Sequence, residues 1–100
     1  MRSGIYRFRL ARDIRWPLVT ETLVTAISAA QALYGEARAR LETGYAQSRR
    51  RRTLVIDATS PPGRTLARIL AGLLIERFGS NAVRIEPAPR IRRTSAGKEQ

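Results

Sequence analysis

Residues 53–63 read TLVIDATSPPG, an apolar and β-branched run followed by a cluster of turn residues. Val55 and Ile56 are typical of a buried strand, so the run predicts a strand over residues 53–58. Ser60 stands directly before Pro61, an order that is typical of a capped helix start. The stretch therefore predicts a central strand that leads straight into a helix.

The chain on either side of this stretch repeats the alternation of strand and helix. Towards the N-terminus, residues 4–11 alternate with the period of a strand, and apolar spacings of three and four from Pro17 to Tyr34 predict a helix. Towards the C-terminus, helical spacing continues to Phe78, and residues 82–86 predict a last short strand. These elements indicate a single α/β domain.

Residues 36–48 fit two interpretations. The residue types Glu, Ala, Arg and Leu favour a helix, whereas the unbroken polar and apolar alternation favours a strand. We expect a strand, because Gly35 already ends the preceding helix. The order is then β-α-β-β-α-β, which predicts a ferredoxin-like two-layer α+β sandwich with two helices on one face of a four-stranded sheet. In that sheet the first and third strands are central.

The length of 100 residues suits one domain. We place that domain at residues 1–88 and expect residues 89–100 to form a disordered basic tail. The longest apolar run, residues 69–75, is much shorter than the roughly 20 residues that a membrane span needs. Arginines interrupt the N-terminal residues where a secretory signal would be apolar, so we expect a cytoplasmic protein without membrane contact.

The chain contains neither cysteine nor histidine. Their absence excludes disulfides, thiolate metal sites and the catalytic triads that use histidine. Asp57 stands at the end of a predicted strand, where we expect it to accept hydrogen bonds from the following loop. The sequence therefore predicts a protein that is not an enzyme and uses no metal and no cofactor.

The charge is strongly positive, with 19 Lys and Arg against 8 Asp and Glu and a formal net charge of +11. In the predicted sheet, alternate residues face the helices and the solvent. The set expected to face the helices is Tyr6, Phe8, Leu10, Leu41, Leu54, Ile56, Val83 and Ile85. The set expected to face solvent is Arg7, Arg9, Arg38, Arg40, Thr53, Val55, Arg84 and Glu86.

This solvent-facing sheet surface and the arginine-rich turn at residues 49–52 predict a nucleic-acid-binding module. We expect contacts to phosphates of RNA or DNA with weak sequence preference, because the solvent-facing positions of the central strands lack aromatic residues for stacking. The predicted contact residues are Arg7, Arg9, Arg38, Arg40, Arg49, Arg50, Arg51, Arg52 and Arg84.

The start of the second predicted helix is a candidate anion site, with Ser60, Arg64 and Thr65 as donors. A plain capped helix start explains the same residues and is the favoured interpretation. Two prolines remove N–H groups that would bind a phosphate, and the glycine spacing and lysine of a phosphate loop are missing.

A regulatory or assembly protein is the alternative to a nucleic-acid-binding module. Its basic surface would bind an acidic protein partner, or it would form a homodimer through an edge strand or through the open sheet face around Ile5 and Val55. Small basic inhibitors and adaptors encoded by mobile elements share this composition.

Overall fold

The computed structural model describes residues 4–88, which form one small α+β domain. In chain order the strands and helices are β1 (Ile5–Leu10), α1 (Trp16–Tyr34), α2 (Glu36–Glu42), β2 (Gly44–Ser48), β3 (Thr53–Asp57), α3 (Pro61–Phe78) and β4 (Val83–Pro87), with a 3-10 turn at Ser80–Ala82 before β4. No helix in this part of the chain is long and apolar enough to cross a membrane. The predicted tail at residues 89–100 lies outside the described residues.

The four strands form one sheet in the order β2-β3-β1-β4, and every neighbouring pair is antiparallel. The first and third strands are thus central and the second and fourth are edges, as the sequence predicts. One glycine is essential to the entry into α3, because a Cβ on Gly63 would lie 2.2 Å from the carbonyl oxygen of Asp57. This close approach fixes the start of α3 against the end of β3.

The predicted strand over residues 36–48 is wrong for its first half, because residues 36–42 form the helix α2. Two ion pairs, Arg38 to Glu42 at 3.2 Å and Arg40 to Glu36 at 2.8 Å, join residues one turn apart on this helix. Only Ala39 of α2 is buried. A strand here would have had little apolar surface to bury, so helix propensity and these local pairs decide the structure.

This third helix means that the predicted ferredoxin-like arrangement with two helices is not matched. Gly35, with a φ of 91°, ends α1 as expected but also serves as the N-cap of α2. Leu41 was expected in the core and is 86% exposed on α2. The sheet therefore begins its second strand only at Gly44.

The core lies between the sheet and the helices α1 and α3. The helix-facing residues of the two central strands confirm the predicted parity, since Phe8, Leu54 and Ile56 are no more than 1% exposed. The prediction that Thr53 faces solvent is wrong, because this residue at the start of β3 is only 7% exposed. Tyr6 is partly buried against the core, while Ile85 on the edge strand β4 is 40% exposed. The other residues of this core include Leu10, Val19, Leu23, Ala26, Leu66, Leu70, Leu74 and Val83.

Candidate nucleic-acid interface

The turn between β2 and β3 carries four consecutive arginines, and three of them point into solvent. Arg49, Arg50 and Arg51 are exposed, and none makes an ion pair with another residue between 4 and 88. Two hydrogen bonds hold the turn, since the Arg52 N–H donates to the carbonyl oxygen of Arg49 at 3.2 Å and the Arg51 N–H donates to the Ser48 hydroxyl at 3.1 Å. A fixed turn thus presents three uncompensated positive charges.

The fourth arginine of the turn, Arg52, faces the protein instead. Its φ of 58° places the backbone in the left-handed region, and its Nη2 donates to the carbonyl oxygen of Ala11 at 2.9 Å and to that of Ile14. The guanidinium also lies 5.4 Å from the centre of the Trp16 ring. Arg52 therefore joins two loops through Nη2, and its contact with a phosphate stays a prediction.

The loop that Arg52 holds brings two further arginines to the turn. The Leu10 N–H donates to the carbonyl oxygen of Arg52 at 3.0 Å, so the β1–α1 loop begins beside the turn. Arg12 and Arg15 on this loop are exposed and make no ion pair within the described part of the chain. We call Arg12, Arg15, Arg49, Arg50 and Arg51 the basic end.

Sequence reasoning missed Arg12 and Arg15 because they lie in a connection, far in sequence from the arginine run. The signal was nevertheless present in the predicted topology. In an antiparallel pair of β1 and β3, the chain leaves β1 where it enters β3, so the loop after β1 must approach the turn before β3. Asp13 is the only carboxylate in the two segments 11–15 and 49–52.

The solvent-facing side of the central sheet, which we call the open face, is less basic than predicted. Glu86 on β4 accepts from Arg9 Nε at 2.8 Å and from Arg7 Nη1 at 3.2 Å. The hydrogen bond from Arg9, and then that from Arg7, holds the pKa of Glu86 below its ordinary value. Arg84 lies directly opposite Arg9 and makes no ion pair with residues 4–88. Two of the three arginines of this face are therefore already paired.

The prediction that Arg38 and Arg40 belong to the open face is wrong, because both lie on α2. Each forms an ion pair within the helix, and Arg38 also lies 5.2 Å from the centre of the Tyr34 ring. Neither side chain is joined to the basic end by any contact in the described structure.

The hydroxyl groups of the candidate anion site at the start of α3 already make hydrogen bonds within the protein. The Ser60 hydroxyl accepts from the Gly63 N–H at 3.1 Å and donates to the carbonyl oxygen of Glu42 at 2.6 Å. The Thr65 hydroxyl bonds to that of Tyr34 at 2.8 Å. Arg64 is exposed and its Nη1 lies 3.4 Å from the Thr59 carbonyl oxygen. These bonds are those of a capped helix start, and anion binding by Ser60, Arg64 and Thr65 stays a prediction.

Asp57 is used by the loop that follows it, as expected. Its Oδ1 accepts from the Thr59 N–H at 3.0 Å and from the Thr59 hydroxyl at 2.6 Å. Among the described residues, the exposed arginines that make no ion pair are grouped mainly at the basic end. Its guanidinium groups supply positive charge and hydrogen-bond donors, which suit anions.

Comparison with protein families, with curated proteins and with solved structures finds no match for this chain.

Proposed function

We propose that the protein is a small non-enzymatic module that binds the phosphate backbone of nucleic acid at its basic end. The observation that supports this most directly is that the β1–α1 loop, with the exposed Arg12 and Arg15, lies against the turn that carries the exposed Arg49 to Arg51, and that Asp13 is the only carboxylate in these two segments. Like charges held together on two fixed loops repel one another. Phosphate contacts would relieve that repulsion and release counterions from the nucleic acid.

We expect contact with the backbone and little reading of bases. Bases of single strands are recognised by stacking on exposed aromatic rings. The aromatic residue beside the basic end is Trp16, which is only 8% exposed and lies against the Arg52 guanidinium. Tyr45, which is 49% exposed, lies near the start of β2 and away from the turn. Both RNA and DNA are therefore expected to bind, with weak sequence preference.

Fluorescence anisotropy with labelled single-stranded RNA, single-stranded DNA and duplex DNA tests this proposal. About four phosphate contacts to a duplex predict that affinity falls roughly 100-fold between about 50 mM and about 200 mM salt. An absence of binding at the lower salt concentration would exclude the proposed function. Binding to an acidic protein but to none of the three nucleic acids would support the regulatory alternative.

A matched pair of double variants tests whether the basic end is the surface used. Arg50→Gln with Arg51→Gln removes two charges from the turn, while Arg40→Gln with Arg68→Gln removes two exposed charges from the helices. We expect the first pair to weaken binding about tenfold or more and to flatten the salt slope by about two units, and the second to do much less. Equal losses would mean that net charge alone governs binding.

A further inference from the structure

The two edge strands of the sheet differ in how their free sides are protected. β4 carries the charged residues Arg84 and Glu86 and ends at Pro87, and charges and proline are the usual means of preventing edge-to-edge pairing. β2 reads Gly-Tyr-Ala-Gln-Ser over residues 44–48 and contains neither a charge nor a proline. Four of its five residues are exposed, and within residues 4–88 only β3 pairs with it. β2 is therefore an unprotected edge.

Apolar surface lies beside this unprotected edge. Tyr45 pairs with the core residue Ile56 and so points towards the helices, yet 49% of it is exposed. The Thr20 hydroxyl of α1 lies 3.3 Å from Gln47 Oε1 of β2. Val24, one turn further along the same side of α1, is 54% exposed.

A cleft of about 420 Å³ continues this surface. Its walls come from α1, α2 and α3 together with Thr43 and Tyr45, and they combine the apolar residues Ile27, Ala30, Ala39 and Leu66 with the polar residues Gln31 and Arg40. A strand added to β2 would thus gain backbone hydrogen bonds and cover apolar side chains at the same time.

We propose that β2 pairs antiparallel with β2 of a second copy of this chain, which extends the sheet to eight strands about a two-fold axis. The neutral sequence of β2 places no like charges opposite each other in such a pair. The strand itself offers no charge that would select an acidic peptide instead, and Arg40, which lines the adjoining cleft, already pairs with Glu36 at 2.8 Å. β2 is thus suited to pair with β2 of a second copy. This proposal is independent of nucleic-acid binding.

The net charge of +11 does not prevent this pairing. With Ala46 opposite Ala46, Ser48 of each copy lies opposite Gly44 of the other. The two Ser48 residues, from which the arginine turns continue, are then four positions apart, or about 13 Å at about 3.3 Å per residue, which exceeds the Debye length of about 8 Å at physiological salt. The arginine turns therefore lie at opposite ends of the joined strands.

Analytical ultracentrifugation of the full chain, freed of nucleic acid by nuclease and high salt, measures this association. A ladder of five residues makes a small interface, so we expect a weak dimer that accumulates between about 10 µM and about 1 mM. The average mass should rise from that of one chain towards that of two. A mass that stays at one chain up to about 1 mM would overturn the proposal.

Charge variants at Ala46, which is exposed on β2, identify the strand used. Ala46→Lys alone or Ala46→Glu alone places like charges across the axis, and each should weaken the dimer by up to about fivefold. A mixture of the two should restore association, which a variant that merely unfolds would not do. Arg84→Glu on the other edge strand is the control and should leave the dimer unchanged.

Three outcomes of the Ala46 experiment would contradict pairing through β2. These are dimers that are as tight in both single variants as in the native chain, a mixture that does not associate, and a loss of the dimer in the Arg84→Glu control alone. An acidic peptide that binds Ala46→Lys more tightly than Ala46→Glu, while the native chain stays monomeric, would assign the edge to a peptide partner instead.

Discussion

The open face and the basic end both carry arginines, but they differ in what surrounds those arginines. On the open face, Arg7 and Arg9 share the carboxylate of Glu86, and their side chains are 30% and 49% exposed. At the basic end, Arg49 to Arg51 have no carboxylate partner among the described residues. A phosphate that approached the open face would have to compete with Glu86, whereas at the basic end it meets free guanidinium groups.

This difference shows that the number of arginines on a surface does not measure its capacity for anions. Arg52 shows the same point within a single run, since it follows three exposed arginines and is used to join two loops. The free charge of a region depends on which carbonyl and carboxylate oxygens the fold places beside each guanidinium.

The largest expected effect comes from removing the Arg52 side chain, which holds the β1–α1 loop against the arginine turn. Arg52→Ala loses the bonds to the carbonyl oxygens of Ala11 and Ile14 and the contact with Trp16. We expect the free energy of unfolding to fall by about 2 kcal/mol or more, because hydrogen bonds from charged groups are lost together with a cation–π contact. Urea denaturation measures this change.

Arg50→Ala is the control for Arg52→Ala, since it removes an exposed arginine from the same turn. It should change the free energy of unfolding by no more than about 0.5 kcal/mol. Equal stability of the two variants would show that Arg52 does not hold the β1–α1 loop.

A smaller effect is expected from making the open face resemble the basic end. Glu86→Gln removes the carboxylate that pairs with Arg7 and Arg9. The two freed guanidinium groups should raise the affinity for duplex DNA roughly two- to fivefold at low salt. Glu76→Gln on α3 makes the same charge change away from the sheet, and an equal gain there would mean that the open face has no particular role.

The same variant has a consequence for the dependence of stability on pH. The hydrogen bond from Arg9 and then that from Arg7 hold the pKa of Glu86 below its ordinary value of 4.5. The ion pair therefore contributes stability above that value, and this contribution is lost as the pH falls through the lowered pKa of the folded protein. Thermal unfolding followed below pH 5 should show less loss of stability in Glu86→Gln than in the native chain.

The smallest effects are expected on α2, whose arginines lie on neither of the two regions compared. Arg38 and Arg40 form exposed ion pairs one helical turn apart, and such pairs contribute at most about 0.5 kcal/mol each. Arg38→Gln and Arg40→Gln should change affinity for nucleic acid by less than about twofold. A tenfold loss in either variant would place α2 in the interface after all.

The two central strands and the two long helices were predictable because each buries one continuous apolar pattern. Phe8, Leu54 and Ile56 face the core as their alternation predicts, and α1 and α3 occupy the predicted segments. Residues 36–42 were not predictable in this way, since their alternation involves small or exposed side chains. Where burial contributes little, local propensity and ion pairs determine the structure, and here they favour α2.

The basic end was predictable only in part. The exposed arginines of the turn follow from four consecutive charges at the tip of a hairpin, because most of such a run cannot be buried. Three further features depend on contacts between distant parts of the chain. These are the bonds that Arg52 donates to the β1–α1 loop, the position of the loop with Arg12 and Arg15 beside the turn, and the ion pairs at Glu86.

The sequence by itself determined the positive charge, the absence of histidine and cysteine, and the positions of β1, β3, β4 and the two long helices. These properties depend on composition and on periodicities within single segments. Only the tertiary structure decided which arginines are free, because antiparallel pairing of β1 with β3 and β4 sets the oxygen atoms that each guanidinium meets. It also left the predicted edge strand unprotected, since the charged residues 36–42 form α2 and β2 begins only at Gly44.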